Sequence, residues 1–272
     1  MAPDTAVRHA RQVEVVAALR GVLPARSILS RGEDTTPYEC GGLTAYRESP
    51  LVVVLPETEA QVSAVLKACH DLAVPVVARG AGTGLAGGAL PHRLGVTLSL
   101  ARFNKILAVD PLACTATVQC GVRNLAISEA AAPHGPYYAP DPSSQVACTI
   151  GGNVAENSGG VHCLKYGLTF HNVLRVRGFT ASGDAIEFGS EALDAAGLDL
   201  MTVLVGSEGM LAVTTEVTVK LIPKPALARC ILASFDNVEA AGDACRAAPI
   251  LPGEGPTTKA PKNQQLVAFS WD

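Results

Sequence analysis

Charge is sparse in this chain and aromatic rings are sparser: Asp, Glu, Lys and Arg make up 17% of 272 residues and Phe, Trp and Tyr 4%, against 48% hydrophobic. A chain so poor in charge and so rich in apolar side chains is not disordered overall, and it has the material for a substantial core. It carries no block of like charge. The 21 basic residues are scattered among 25 acidic ones for a net charge of −4, which excludes nucleic acid as the main partner. No stretch approaches the ~18 consecutive apolar residues of a transmembrane helix. No charged-then-apolar leader opens the chain either, because Asp4, Arg8, His9, Arg11 and Glu14 interrupt the N-terminus. The eight cysteines form no CxxC and share no spacing with histidine that would bind zinc or an iron–sulfur cluster, so no metal site is expected. Several stand in apolar runs, where cysteine packs as a small hydrophobe. They read as reduced thiols of a cytoplasmic protein, with peripheral association at the inner membrane left open.

What the chain has in quantity is glycine, 26 residues of it, set between short apolar runs. Residues 7–19 have helical spacing (Val7, Val15, Val16, Leu19), ended by Gly21 and Pro24. An irregular stretch over 30–46 follows, so residues 1–45 read as an N-terminal helical segment. Val52, Val53, Val54 and Leu55 make a buried strand stopped by Pro56. Thr58 and Gln61 then form a capping box for a helix whose apolar face is Val62, Val65, Leu66 and Cys69. With a second strand at 75–79, the strand–helix–strand order predicts parallel pairing. Beyond residue 91 the pattern becomes β-rich. Short strands are expected at 95–100, 106–109 and 115–120, a helix at 124–132, a hairpin of 173–180 with 185–188, and a long alternating strand at 211–222. Residues 227–272 begin as a further domain, with a strand at 229–235 and a helix at 238–246. From 248 onward neither helical nor strand period is visible, and four prolines break what apolar residues there are.

The stretch VARGAGTGLAGGALP at 77–91 places Gly82, Gly84 and Gly87 in a G-x-G-x-x-G pattern after a strand. A Rossmann reading requires that pattern to open a helix, whose N-terminus holds the diphosphate. Gly87, Gly88 and Pro91 forbid the helix, and no acidic residue is expected to end a strand ~20 positions on and take a ribose hydroxyl. A P-loop is excluded because no Gly-Lys-Ser/Thr is present. What survives is a run of small residues able to aim several backbone N–H groups at one anion, or else a glycine-rich turn with no ligand.

Two further segments accompany the loop: PDPSSQVACTIGGNVAENSGG at 140–160 and LVGSEGMLAVTTEVTVKL at 204–221. In this order and spacing the three resemble the FAD-linked oxidases with a flavin domain of the vanillyl-alcohol-oxidase (PCMH) type. The similarity runs from about residue 35 to 243. Stretches such as AYRESPLVVVLPETEAQV and GGVHCLKYGLTFHN resemble in particular the FAD-binding subunits of bacterial glycolate oxidases. The resemblance implies an α+β fold: a PCMH-type FAD-binding domain over 46–226, made of two α/β subdomains with FAD between them. It implies that Arg79, Gly80, Ala81, Gly82, Thr83, Gly84 and Leu85 wrap the diphosphate. Pro142, Ser143, Ser144, Thr149, Gly151, Gly152, Asn153 and Asn157 would contact flavin and diphosphate, and Glu208, Gly209 and Val213 the adenosine end. Asn153 and Asn157, four apart, would share a helix face. Relatives that bind flavin covalently use a histidine where this chain has Thr83 and Gly84, and Cys148 stands in different surroundings from the cysteine others use, so noncovalent FAD is expected. Gly41 stands where such subunits more usually carry an acidic residue.

The same resemblance implies an oxidoreductase in which FAD takes a hydride from a 2-hydroxy acid such as glycolate or D-lactate. Electrons would pass to other subunits, one of them carrying iron–sulfur clusters. Substrate-holding histidine and acidic residues of this family come largely from a cap domain that follows the flavin domain, and the similarity fades near residue 243. The chain is therefore expected to be truncated with most of the cap missing, and no residue is assigned a catalytic role. The alternative is a flavin-holding fragment without its own turnover, or one half of a split enzyme. A UDP-sugar reductase is the weaker reading, since the similarity extends beyond the flavin motifs.

Overall fold

Valine-rich runs of three to five residues favour extended chain, because branched side chains lose least freedom there. The computed structural model, which describes residues 3–190, 197–225, 229–247 and 265–271, places these runs in two sheets. The first layer is built from helix α1 (Pro3–Arg20), strands β1 (Ile28–Leu29) and β2 (Val52–Val54), helix α2 (Glu59–Asp71), and strands β3 (Val76–Arg79) and β4 (Val96–Ser99). Half of the expected capping box forms: Thr58 accepts from the Gln61 N–H, but Gln61 Oε1 accepts from the Glu57 N–H, one residue before the cap, rather than from that of Thr58.

The order β1-β2-β4-β3 corrects the sequence reading, which grouped residues 95–100 with the β-rich part. β4 pairs parallel with both β2 and β3, and β1 closes the edge antiparallel. Every residue of β4 is buried, including Thr97 and Ser99, as befits a central strand covered on both faces. The periodicity of VTLS gives no hint of this. Only the long connection from β3 lets the chain return to the middle of the sheet.

The second layer comprises β5 (Ile106–Asp110), β6 (Thr115–Gln119), α3 (Asn124–Ala131), α4 (Ile150–Glu156), β7 (Val173–Phe179), β8 (Ala185–Gly189), α5 (Leu200–Leu204) and β9 (Val213–Lys220). Its five strands form an antiparallel sheet in the order β5-β6-β9-β7-β8. Each sheet has its own core. Val15 and Leu19 of α1 join Val62, Val65 and Leu66 of α2 over Val52, Leu98 and Phe103, while Val118, Ile127, Ile150, Val154, Val176 and Val217 fill the other. Cys120, Phe179 and Val213 of the second layer pack into the first core, so the two cores meet. At that seam the β9–β7 register shifts around Thr215, whose hydroxyl donates to Glu59 Oε1 at 2.7 Å. Arg177 adds ion pairs to Glu59 at 3.6 Å and Glu216 at 3.5 Å.

The chain divides into a compact unit ending at Ile222 and a second from Pro223 to Asp272. Residues 1–45 are thus part of the first unit rather than a segment apart, since β1 extends its sheet and α1 covers its core. In the second unit β10 (Arg229–Phe235) pairs antiparallel with β11 (Gln265–Trp271), and α6 (Val238–Ala247) lies between them in sequence. The strand at 265–271 corrects the reading of the tail as patternless. Val267, Phe269 and Trp271 stand two apart, the strand period, and the prolines that masked it all lie upstream. Residues 248–264 of that tail lie outside the described residues.

Phe103 ties the layers: it is 1% exposed in the first core, and its carbonyl accepts from the Gly121 N–H after β6. Phe103→Ala is expected to destabilise the first unit by ~3–5 kcal/mol through the cavity it leaves, measured as a fall in the urea midpoint at unchanged m-value.

Candidate functional site

A cleft of about 270 Å³ opens where β3, β4 and β6 end and β9 begins. Ala78 and Arg79 close β3 there, Leu100 follows β4, Cys120 follows β6, and Val213 and Thr214 start β9. Carboxyl ends of parallel strands are where open α/β sheets leave a crevice, because the connections depart to either side.

Arg79, Gly80, Ala81, Gly82, Thr83, Gly84 and Leu85 line one wall, and no helix forms in the loop, as the sequence demanded. Gly82 has φ +71°, which disfavours any side chain, and a Cβ on it would lie 2.5 Å from Arg79 Nη2 and displace the guanidinium. The Arg79 side chain thus sits against the loop. It is 9% exposed, donates from Nη1 to the Ala89 carbonyl at 3.2 Å, and stands with Cζ 5.7 Å from the Tyr38 ring centroid. Burial lowers its pKa, and Cys40 and Tyr38 act in the opposite direction.

The facing wall is α4 with the segments before and after it. Ser144, Thr149, Gly151, Gly152 and Asn153 line the cleft; Thr149 Oγ1 and Asn153 Nδ2 are buried there and have no hydrogen-bond partner among the described residues. A Cβ at Gly80 would collide with Thr149 Oγ1, so the two walls approach closely only because residue 80 has no side chain. Turn 205–210 is clasped to α4 by hydrogen bonds from Gly206 N–H to Val154 O at 2.8 Å and from Glu208 N–H to Ala155 O at 2.9 Å. Those bonds bring Glu208, Gly209 and, at the start of β9, Val213 to the cleft.

Three of the residues singled out in the sequence lie elsewhere. Pro142 and Ser143 belong to a turn outside the lining, with the Pro142 carbonyl accepting from Gln145 N–H at 2.8 Å. Asn157 does not share a helix face with Asn153. It ends α4 in the left-handed conformation (φ +50°), and its Oδ1 accepts from Phe170 N–H at 3.0 Å. The sequence reading also passed over Glu156, Ser158 and Ser207, which do line the cleft. A single acid inside GGNVAENSGG was the available signal for Glu156. Its approach to Glu208, from a segment fifty residues on, was not legible.

The lining therefore holds neutral donors and acceptors, loop backbone, small apolar side chains and two carboxyls. Among the described residues it includes no histidine, and Arg79 is its one basic side chain. Burial, then the neighbouring Glu208, holds the Glu156 carboxyl above its ordinary range, while burial pushes the Cys148 thiol up. With Glu156 raised in the folded chain, folding takes up a proton between the unfolded and folded values, so this contribution falls as pH rises through that window. Glu156→Gln should flatten that part of the pH–stability curve. Denaturant unfolding is expected to show the variant more stable than the parent above the window and equal to it below.

Residues 50–189 match the family described as FAD binding domain. The chain is 61% identical over 239 residues to the glycolate oxidase subunit GlcD of Escherichia coli strain K12, covering 88% of this chain and 48% of that protein. It is 34% identical over 230 residues to a D-lactate dehydrogenase of Anaerostipes hadrus, covering 83% of this chain and 48% of that one. It thus spans about half the length of the relatives it matches. Among solved structures, p-cresol methylhydroxylase superposes with a TM-score of 0.75 at 20% identity over 89% of this chain and 49% of its own, a likeness of fold.

Proposed function

The chain belongs to the FAD binding domain family, and from that premise we propose that it holds FAD noncovalently as the flavin-binding part of a glycolate-oxidase-type 2-hydroxy-acid oxidoreductase. The observation that carries this reading is the pairing, across one cleft, of a side-chain-free loop with two buried polar atoms that lack partners. Thr149 Oγ1 and Asn153 Nδ2 would be costly to bury unless a ligand satisfied them. Residues 79–85 can bring backbone N–H groups to a diphosphate, with Arg79 supplying positive charge behind them. Glu156 and Glu208 suit the other polar part of the cofactor: a carboxylate accepts well from ribose or ribityl hydroxyls and repels phosphate. The diphosphate thus belongs toward the Arg79–Gly82 end of the loop, and hydroxyl groups toward Gly84 and Gly88, which the two acids flank. Val154, Ala212 and Val213 offer apolar surface for a flat ring. Ser144 adds a neutral hydroxyl to the same lining.

Bound there, FAD supplies an acceptor for a hydride from the carbon that bears the hydroxyl. The proposed substrates are small 2-hydroxy acids such as glycolate or D-lactate, the molecules named in the relatives' own titles. The glycolate oxidase relative is named as a subunit, and we propose that further subunits, one with iron–sulfur clusters, take the electrons onward. No helix of the described residues is long and apolar enough to cross a membrane; a cytoplasmic place, with contact at the inner membrane surface, is part of the same proposal.

A second reading is favoured by the lining itself. Without a histidine among the described cleft residues, the chain offers no imidazole to bind a substrate carboxylate or take its proton, so it could hold flavin without turning over alone. One preparation separates the readings. Denaturing the purified chain is expected to release FAD, read from its absorption spectrum; a colourless protein that takes up no added FAD would overturn both. Turnover of glycolate or D-lactate with an artificial electron acceptor would favour the enzyme, and bound FAD without turnover the flavin-holding module. Gly82→Val should lose the cofactor in either case, because its side chain meets Arg79 at a φ that valine avoids. A G82V protein with full FAD stoichiometry would displace the diphosphate from this loop.

A further inference from the structure

Residues 38–48, outside the stretch matched by the family, lie against the glycine loop, on its Gly82 carbonyl side. The Gly42 N–H donates to the Gly82 carbonyl at 2.6 Å. The approach is backbone to backbone. A Cβ on Gly42 would lie 2.7 Å from Thr83 O and 3.0 Å from Gly84 O, and one on Gly41 would lie 3.2 Å from Gly82 O and 3.3 Å from Ala89 Cβ. Beside this contact the Tyr38 ring faces the buried Arg79 guanidinium, which itself donates to Ala89 O. The segment is closed on itself at its base: Arg47 pairs with Glu39 at 2.9 Å, and Glu48 N–H donates to Glu39 O at 2.9 Å.

The chain has no cis peptide among the described residues, so the Gly82 carbonyl and the Thr83 N–H of the same peptide unit point in opposite directions. Holding the carbonyl toward Gly42 therefore turns the Thr83 N–H away from the N-terminal segment, on a loop whose residues 79–85 line the cleft. Gly82, at φ +71°, is a residue whose flanking peptides could otherwise rotate at little cost. We infer that Gly42, with Tyr38 and Gly41, is a positioning element for the cofactor site: its hydrogen bond fixes the Gly82–Thr83 peptide so that the Thr83 N–H is presented to the diphosphate. This rests on the FAD reading above and adds to it a segment that the family match does not include. The aromatic ring under Arg79 serves the same end, keeping the guanidinium beneath the loop. A loop preset in this way spends none of its binding free energy on ordering itself.

The test compares parent chain, Gly42→Ala and Tyr38→Leu, each stripped of flavin and titrated with FAD, with ADP as a probe that shares only the diphosphate end. Phosphorus NMR of bound FAD reports the diphosphate surroundings directly. Gly42→Ala is expected to weaken FAD and ADP together by at least about tenfold and to shift the bound diphosphate resonances, while circular dichroism and the melting temperature of the flavin-free chain change little. Tyr38→Leu, which adds no steric bulk, should weaken both ligands in the same sense, and Tyr38→Phe should restore them. Unchanged FAD affinity and unchanged phosphorus resonances in folded Gly42→Ala would overturn the inference, as would a weakening of FAD without any weakening of ADP. If Gly42→Ala fails to fold, the Tyr38 pair decides: equal affinities in parent and Tyr38→Leu overturn it. Failure of the parent chain to take up FAD would instead overturn the underlying reading.

Discussion

Everything about the site follows from one close approach: the backbone at Gly80, where the loop leaves β3, must pass hard against Thr149 at the head of α4, with the cleft opening beyond that point. A methyl group at Gly80 would meet Thr149 Oγ1, and one at Gly84 would displace the Glu156 carboxyl. The loop is delivered to that position by β3, whose end at Arg79 is fixed by pairing with β4, and the other wall by the turn of α4 onto the end of β6. The cleft is therefore a property of where two sheets terminate, and the glycines are what allow those terminations to come so near.

The two sheets keep that spacing because their cores are continuous at the seam. Phe179 and Val213 from the antiparallel layer pack among the side chains of the parallel one, and Thr215, displaced by the register shift, reaches Glu59 at the start of α2. A polar bond and ion pairs at such a seam contribute less to stability than the apolar burial on either side, but they define how one layer sits on the other. Any tilt of the layers would be felt at the cleft, which draws its lining from both.

Electrostatics divides the cleft as the packing does. Arg79 places a buried positive charge beside Gly82, while Glu156 and Glu208, neighbours of one another, put their carboxyls against Gly84 and Gly88 farther along the same loop. A molecule with an anionic middle and hydroxyl-bearing arms fits that division better than a simple phosphate ester would. The same division explains why Glu156 escaped notice in the sequence while Glu208 was singled out only through the family resemblance. Each looks unremarkable in its own segment, and their meaning arises only from meeting.

By itself the sequence determined the elements and the character of the loop. Valine runs and a Thr58–Gln61 cap placed β2 and α2, and Pro91 and the paired glycines excluded a helix after β3. These are local properties, written in periods of two and 3.6 residues and in backbone allowances; the flavin fold was legible only through the resemblance that three ordered motifs carry. Tertiary structure alone decided that β4 enters between β2 and β3, that Asn157 turns out of α4 to hold Phe170 while Asn153 stays in the cleft, and that Val267, Phe269 and Trp271 form a paired strand. It alone brought Gly42 to the Gly82 carbonyl. Such contacts join residues from thirteen positions apart, as Asn157 and Phe170 are, to the forty between Gly42 and Gly82, and no local pattern encodes which backbone will supply the partner.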